Sequence, residues 1–359
     1  MSEQNKQSEQ EPWMIYGAYG YTGELIAREA VRRGHRPVLA GRSLEKAQAL
    51  ANELGLEAIG FSLDNVEQAT QQIKGFSLVL NCAGPFSATA EPMMKSCITA
   101  RANYLDITGE IAVFELAQSL NDKARSAGIV LCPGVGFDVI PTDCVAASLK
   151  AALPDATHLA LGFDSRSGFS PGTAKTSVEG LAQGGKVRRD GRIETVPLAY
   201  QVRRIDFGDG EKDAMTIPWG DVSTAYHSTG IPNIEVFIPG SPRMIKSARS
   251  ANYVRPLLGI KFVQKLIKAR IARTVKGPDE AARAKMPTFV WGEATNTRGE
   301  KKTARIRTAN GYSLTITGSL AVIEHLMESQ PTGGAYTPSR LVGADLVTRL
   351  PESGDLVIH

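Results

Sequence analysis

Cysteine is scarce in this 359-residue chain. Cys82, Cys97, Cys132 and Cys144 show no C-x-x-C spacing and stand beside no histidine cluster. That excludes a zinc site of the usual ligand spacing, and no metal is expected. All four lie in apolar segments, as buried thiols in a reducing cytoplasm would. No stretch reaches the run of about 18 apolar residues that spans a bilayer. The polar N-terminus, Met1 to Glu11, lacks the apolar core of a signal peptide and reads as part of a disordered tail over 1–12. Acidic residues are missing from Ser241 to Gly277, where ten Lys or Arg occur. No aromatic interleaving and no nucleic-acid-binding module accompany that charge, so a nucleic-acid partner is not expected.

What is present is 42% hydrophobic and 22% charged residues, the balance of a soluble globular protein long enough for two domains. From residue 13 to about 135, short apolar runs alternate with helical patterns. Trp13–Tyr16, Pro37–Ala40, Glu57–Phe61, Phe76–Asn81, Tyr104–Ile107 and Ile129–Cys132 read as strands. Gly23–Arg33, a Ser43-capped segment carrying Leu44, Ala47, Ala51 and Leu54, Asn65–Lys74, Thr89–Arg101 and Glu110–Ala127 read as helices. Such alternation predicts a doubly wound parallel sheet, a Rossmann-type α/β domain, over 13–138. After a helix at Val139–Leu153 the pattern changes. Longer alternating strands are expected at Thr157–Phe163, Val202–Phe207, Asn233–Ile238, Phe289–Ala294 and Thr303–Thr308, the last two forming a hairpin, with helices at Gly172–Gln183 and Ser319–Met327. A second α+β domain with a mixed or antiparallel sheet is therefore expected over 139–336. Thr337-Pro338 opens a further helix to about Leu350.

The first strand runs into Gly17-Ala18-Tyr19-Gly20-Tyr21-Thr22-Gly23 and then a helix. In that context glycines have a mechanism. Gly17 permits a sharp turn, Gly20 lets backbone approach a pyrophosphate, and Gly23 lets helix and strand pack closely. Tyr21 and Thr22 open the helix whose free N–H groups would hold the phosphates. At the end of the second strand an acidic residue would read the ribose of NAD. Arg42-Ser43 stands there instead, Arg42 following Gly23 by 19 residues, and a guanidinium with a hydroxyl suits a 2′-phosphate. NADP(H) is the expected cofactor. Asp64 is placed to meet the adenine amino group or to cap the next helix. Cys82, Ala83, Gly84 and Pro85 supply small residues against which ribose and nicotinamide could lie.

These segments together resemble the saccharopine dehydrogenase-like oxidoreductases, including their trans-acting enoyl reductase branch. The carrying motifs are Gly17–Gly23, Ala40–Ser43, Asn81–Phe86, Tyr104–Glu110 and Pro133–Asp143, with a weaker echo at Gly333–Leu350. The resemblance implies an NADP-binding Rossmann domain, an α/β substrate domain, and a C-terminal helix, 337–350, that returns to pack on the first domain. Tyr19 departs from the small residue usual between the first two glycines, which predicts a more crowded loop mouth.

The short-chain dehydrogenase Tyr-x-x-x-Lys is absent, although Tyr200-x-x-x-Arg204 approaches it. Asp106 and Glu110 are the carboxylates nearest the expected cofactor face, as proton relays or as loop and helix anchors. Asp138 and Asp143 read as hinge and cap residues at the domain crossover. Lys175 and His227 are alternative acids, more in keeping with solvated surface groups. Residues 259–275 can form an amphipathic basic helix that would pack at a dimer contact or touch an anionic membrane surface. The expectation is an NADPH-dependent oxidoreductase, homodimeric, reducing a C=C, C=N or C=O bond of a small or acyl substrate. A non-catalytic NADP(H)-sensing protein and a membrane-surface protein are the alternatives.

Overall fold

The computed structural model describes residues 11–165, 182–258, 260, 262 and 286–359. The first half runs β1 (Trp13–Tyr16), α1 (Tyr21–Arg32), β2 (Val38–Gly41), α2 (Leu44–Leu54), β3 (Ala58–Gly60), α3 (Val66–Ile73), β4 (Leu78–Asn81), α4 (Phe86–Ala100), β5 (Asn103–Asp106), α5 (Ile111–Ser119), α6 (Asn121–Ala127), β6 (Val130–Cys132) and α7 (Ile140–Ala152). It continues with β7 (Ala156–Ser165), β8 (Gly185–Arg189), β9 (Arg192–Val196), β10 (Val202–Asp206), β11 (Glu211–Thr216), α8 (Asp221–Thr229), β12 (Asn233–Pro239), α9 (Pro242–Leu258), β13 (Thr288–Asn296) and β14 (Lys301–Thr308). Last come α10 (Gly311–Glu328), β15 (Gly334–Ala335), α11 (Pro338–Val342), α12 (Leu346–Arg349) and β16 (Val357–Ile358).

Every residue of β1 and β4 is buried, because helices cover both faces of the sheet they occupy. Among the described residues that sheet has seven strands in the order β15-β6-β5-β4-β1-β2-β3, and all its pairings are parallel. Strand order reverses between β1 and β4, which opens a crevice at their carboxyl ends. The second sheet runs β10-β11-β12-β7-β13-β14-β16, with the β8–β9 hairpin attached to β12. It is mixed, since β12 and β7 pair in parallel and the other pairs are antiparallel. The expected hairpin is β13–β14, in register from Thr288↔Thr308 to Thr295↔Lys301. Helix α7 lies against β7, β13 and β14 and carries the chain from one sheet to the other.

Several elements differ from the sequence reading. The helix expected from Glu110 to Ala127 is broken at Leu120, where Asn121 turns its side chain to accept the N–H of Ala335 and so holds β15. The helix expected at Ser319–Met327 begins eight residues earlier, at Gly311. Asn310 caps it through Tyr312 and Ser313, and packing of α10 on α1 overrides its weak Gly/Thr/Ser propensity. Chain from the expected second domain thus lies on the first sheet's helices well before residue 337. The single helix expected from Thr337 to Leu350 is two short ones, parted by Gly343 at φ +127°; both pack on α7. The helix expected at Gly172–Gln183, with Lys175, lies outside the described residues but for its last two positions. The basic segment 259–275 does so apart from Ile260 and Phe262. Among the described residues no helix is long and apolar enough to cross a membrane.

Candidate functional site

The crevice between β1 and β4 is lined by the two loops that the glycine pattern and the Asn81–Phe86 motif supply. Gly17 has φ +81°, and a Cβ there would meet the nitrogen of Ala83 at 2.8 Å and the carbonyl carbon of Cys82 at 2.9 Å. Only glycine lets these two loops touch. A Cβ on Gly23 would stand 2.4 Å from the carbonyl oxygen of Gly17, so α1 presses directly onto the turn. Gly20 is the cap residue of α1 and offers no side chain to its first-turn N–H groups. No cap side chain competes with an anion at the helix start, where Thr22 is half-buried and Tyr21 exposed.

At the carboxyl end of β2, Ser43 caps α2 through the N–H of Lys46. Arg42 is exposed and forms no ion pair among the described residues. Tyr19 does not crowd the loop mouth as its bulk suggested. Its ring lies over Gly41, 2.5 Å from where a Cβ would be, and its hydroxyl accepts the N–H of Ser43 at 3.1 Å. Asp64 is not the cap of α3. Asn65 performs that role through Gln68, while Asp64 takes a hydrogen bond from the Ser62 hydroxyl at 2.6 Å. The shorter reach of the Asn65 side chain from the residue adjoining the helix decides the cap. Tyr16, beneath this corner, donates to the carbonyl of Phe61. Burial raises its hydroxyl to about 12, with Tyr19, Arg42 and Asp64 all acting on it.

A polar network ties the ends of β4, β5 and β6. Asn81 accepts the N–H of Ala83 and donates to Thr89 and to the Tyr104 hydroxyl. Tyr104 donates to Asp106 at 2.6 Å, and the other Asp106 oxygen accepts the N–H groups of Thr108 and Gly134. Asp106 is fully buried, which raises its carboxyl to about 6 against the lowering effect of those donors. Glu110 reaches back across the crevice and accepts the N–H groups of Phe86 and Ser87 at 2.9 and 2.8 Å, sealing the start of α4. Both carboxylates thus hold loops in place. Cys82 and Ala83 are half-buried and Gly84 and Pro85 exposed along the lip of the crevice; burial pushes the Cys82 thiol up, keeping it protonated.

The group with chemistry to offer is Asp138, read from the sequence as a hinge. Its carboxylate lies against Gly109, whose Cβ position would be 2.8 Å from Oδ2, and takes no hydrogen bond among the described residues. Trp219 donates its indole N–H to the Asp138 backbone carbonyl at 2.8 Å. Nearby in the chain's packing, Phe137 and Phe163 meet edge to face with centroids 5.3 Å apart, and Phe163 and Trp219 lie tilted at 4.9 Å. Burial burdens the charged form of the Asp138 carboxyl and raises it from 3.8 to about 7. A half-buried carboxyl that changes protonation near neutrality, where the loops after β5 and β6 meet the start of α8, suits general acid–base work. Asp143 instead is fully buried and accepts the Ser228 hydroxyl and the N–H of Ser339, a joint between α7, α8 and α11. His227 faces Glu115, which also pairs with the buried Arg188 and is held at about 2, chiefly by His227. Neither faces the crevice loops.

Comparison with known proteins agrees with this geometry. Residues 13–132 match the family described as the saccharopine dehydrogenase NADP binding domain. The human saccharopine dehydrogenase-like oxidoreductase is 32% identical over 160 residues, covering 38% of this chain and 37% of that protein. A candidate trans-acting enoyl reductase of Mycobacterium tuberculosis is 29% identical over 185 residues, 47% of this chain and 44% of that protein. The aligned parts span less than half of either relative. Saccharopine dehydrogenase (L-Glu forming) from Saccharomyces cerevisiae superposes with a TM-score of 0.63 at 12% identity, over 97% of this chain and all of that one, which establishes a shared fold. The glycine cradle, the uncapped helix start and the unpaired Arg42 fit a dinucleotide with a 2′-phosphate.

Proposed function

We propose that this chain, whose residues 13–132 belong to the saccharopine dehydrogenase NADP-binding domain family, is an NADPH-dependent oxidoreductase. It reduces a polarised C=C, C=N or C=O bond of a small or acyl substrate in the crevice beside Asp138. The observation that carries the reading is the juxtaposition of two things: a glycine cradle that only a closely approaching backbone or phosphate explains, and an unpaired carboxyl titrating near neutrality on the same face.

A bound nicotinamide would supply the hydride. The chain supplies the rest. Gly17, Gly20 and Gly23 let the pyrophosphate reach the start of α1, and Arg42 meets the 2′-phosphate. Cys82 to Pro85 form the lip against which the nicotinamide ribose would rest. Asp138, protonated below neutral pH, donates a proton to the substrate atom that gains charge, and Trp219 fixes its backbone.

The test is NADPH oxidation against a panel of enoyl, imine and carbonyl compounds, repeated with Asp138→Asn. Turnover of one class, falling about 100-fold or more in the variant, is expected. Tight NADPH binding with no turnover across the panel would refute the enzymatic reading.

A further inference from the structure

We propose that Tyr19 is a specificity-determining residue for the 2′-phosphate, acting as a second donor beside Arg42. The inference rests on the cofactor reading above and adds to it a group that no glycine or charge pattern assigns.

The geometry is specific. A side chain at position 41, at the carboxyl end of β2, would stand where Tyr19 Cε1 already lies, 2.5 Å from the Cβ position, and 3.0 to 3.1 Å from the rest of the phenol. Gly41 therefore makes room for an aromatic ring sent across from the β1–α1 turn. The phenol oxygen accepts the N–H of Ser43, the residue after Arg42, at 3.1 Å. Its own proton goes to no acceptor among the described residues. Tyr16, the other tyrosine at this corner, is already committed: it donates to Phe61 at 3.0 Å and is buried. Tyr19 is half-buried, so its hydroxyl remains within reach of a ligand.

An O–H with a free proton, from the β1–α1 turn, and a guanidinium with no ion pair, from the β2–α2 turn, thus flank the end of β2. Both donate and neither accepts a charge-assisted bond, which is the donor set a phosphate dianion requires. The acidic group on the neighbouring β3–α3 loop, Asp64, is turned to the Ser62 hydroxyl and forms no ion pair with Arg42 among the described residues. A cofactor lacking the 2′-phosphate offers Tyr19 a neutral hydroxyl only, so the residue separates the two nucleotides more than it strengthens either.

Calorimetric titration of the full chain with NADPH and with NADH, before and after Tyr19→Phe, tests this. The NADPH-to-NADH affinity ratio is expected to fall about ten-fold, with NADH affinity unchanged. Gly41→Ala pushes the ring out of place and is expected to lower the same ratio in the parent chain, yet add nothing in a Tyr19→Ala background. An unchanged ratio in Tyr19→Phe overturns the proposal. So does an equal loss for both nucleotides, which would mark Tyr19 as a brace for the turn. A parent chain that binds neither nucleotide overturns the cofactor reading itself, a result distinct from both.

Discussion

Asp138→Asn should stabilise the folded chain above neutral pH while it removes the proton donor. In the fold, burial holds this carboxyl at about 7, whereas in the unfolded chain it returns to about 3.8. Its folded pKa is raised, so its favourable contribution is complete below the unfolded value and is lost as pH climbs through the folded one. Between about pH 4 and 7 the native state keeps a proton that the unfolded state releases, and stability falls with rising pH. Full ionisation in a dry site would cost roughly 4 kcal/mol at about 1.4 kcal/mol per tenfold change. Water reaches this half-buried side chain, which reduces the expected cost to about 1–3 kcal/mol. Asn keeps the shape and cannot ionise. Urea melts of parent and variant at pH 5 and pH 8 give the difference directly. Asp143 is common to both proteins, and the repulsion between Asp138 and the buried Asp221, absent from the variant, acts in the same direction. The variant's advantage should grow by about 1–3 kcal/mol from the lower pH to the higher. A difference that does not change with pH would refute the assignment of an unpaired, burial-shifted carboxyl.

Other consequences follow from the same contacts. Gly23→Ala places a methyl group 2.4 Å from the Gly17 carbonyl oxygen, and should cost about 1–3 kcal/mol in a denaturant melt together with NADPH affinity; intact binding would show that α1 need not press on the turn. Glu110→Gln weakens the charged seal on Phe86 and Ser87, and should lower stability by about 1–3 kcal/mol, read as a drop in melting temperature. Arg42→Ser should lower NADPH affinity about ten-fold and spare NADH, as the loss of one charge-assisted contact requires. An equal loss for both nucleotides would place that guanidinium elsewhere than at the 2′-phosphate.

The glycine turn after β1 was legible because its information is local. Gly17 to Gly23 sits within one turn between a strand and a helix, and Arg42 is found by counting along the same unit. Ser43 declared itself as a cap by residue type and place, as did the β13–β14 hairpin by its paired alternation. Other signals are equally local. Asp190-Gly191, with φ +45° and +78°, is a two-residue hairpin turn that joins β8 to β9. Asn65 outcompetes its neighbour Asp64 for the cap, a choice of one position that pattern alone does not resolve.

What stayed hidden is built from distant chain. Asp138 looks like a turn residue until Trp219, 81 positions away, is seen holding its carbonyl, and Gly109 is seen beneath its carboxylate. Conversely, Asp106 and Glu110 stand near the expected face in sequence, but their oxygens go to backbone N–H groups of Thr108, Gly134, Phe86 and Ser87. Proximity along the chain cannot show which carboxylate keeps a free valence. The second sheet was partly readable from alternation. Helix α10 was legible only from Ser319 onward, because its Gly/Thr/Ser-rich first half gains stability from packing rather than from its own residues.

Calorimetric titration of the parent protein with NADPH and NADH tests the central claim most directly. The account predicts saturable heat with NADPH at an affinity about ten-fold or more above that for NADH. Saturable binding of neither nucleotide would contradict the glycine cradle and every role built upon it.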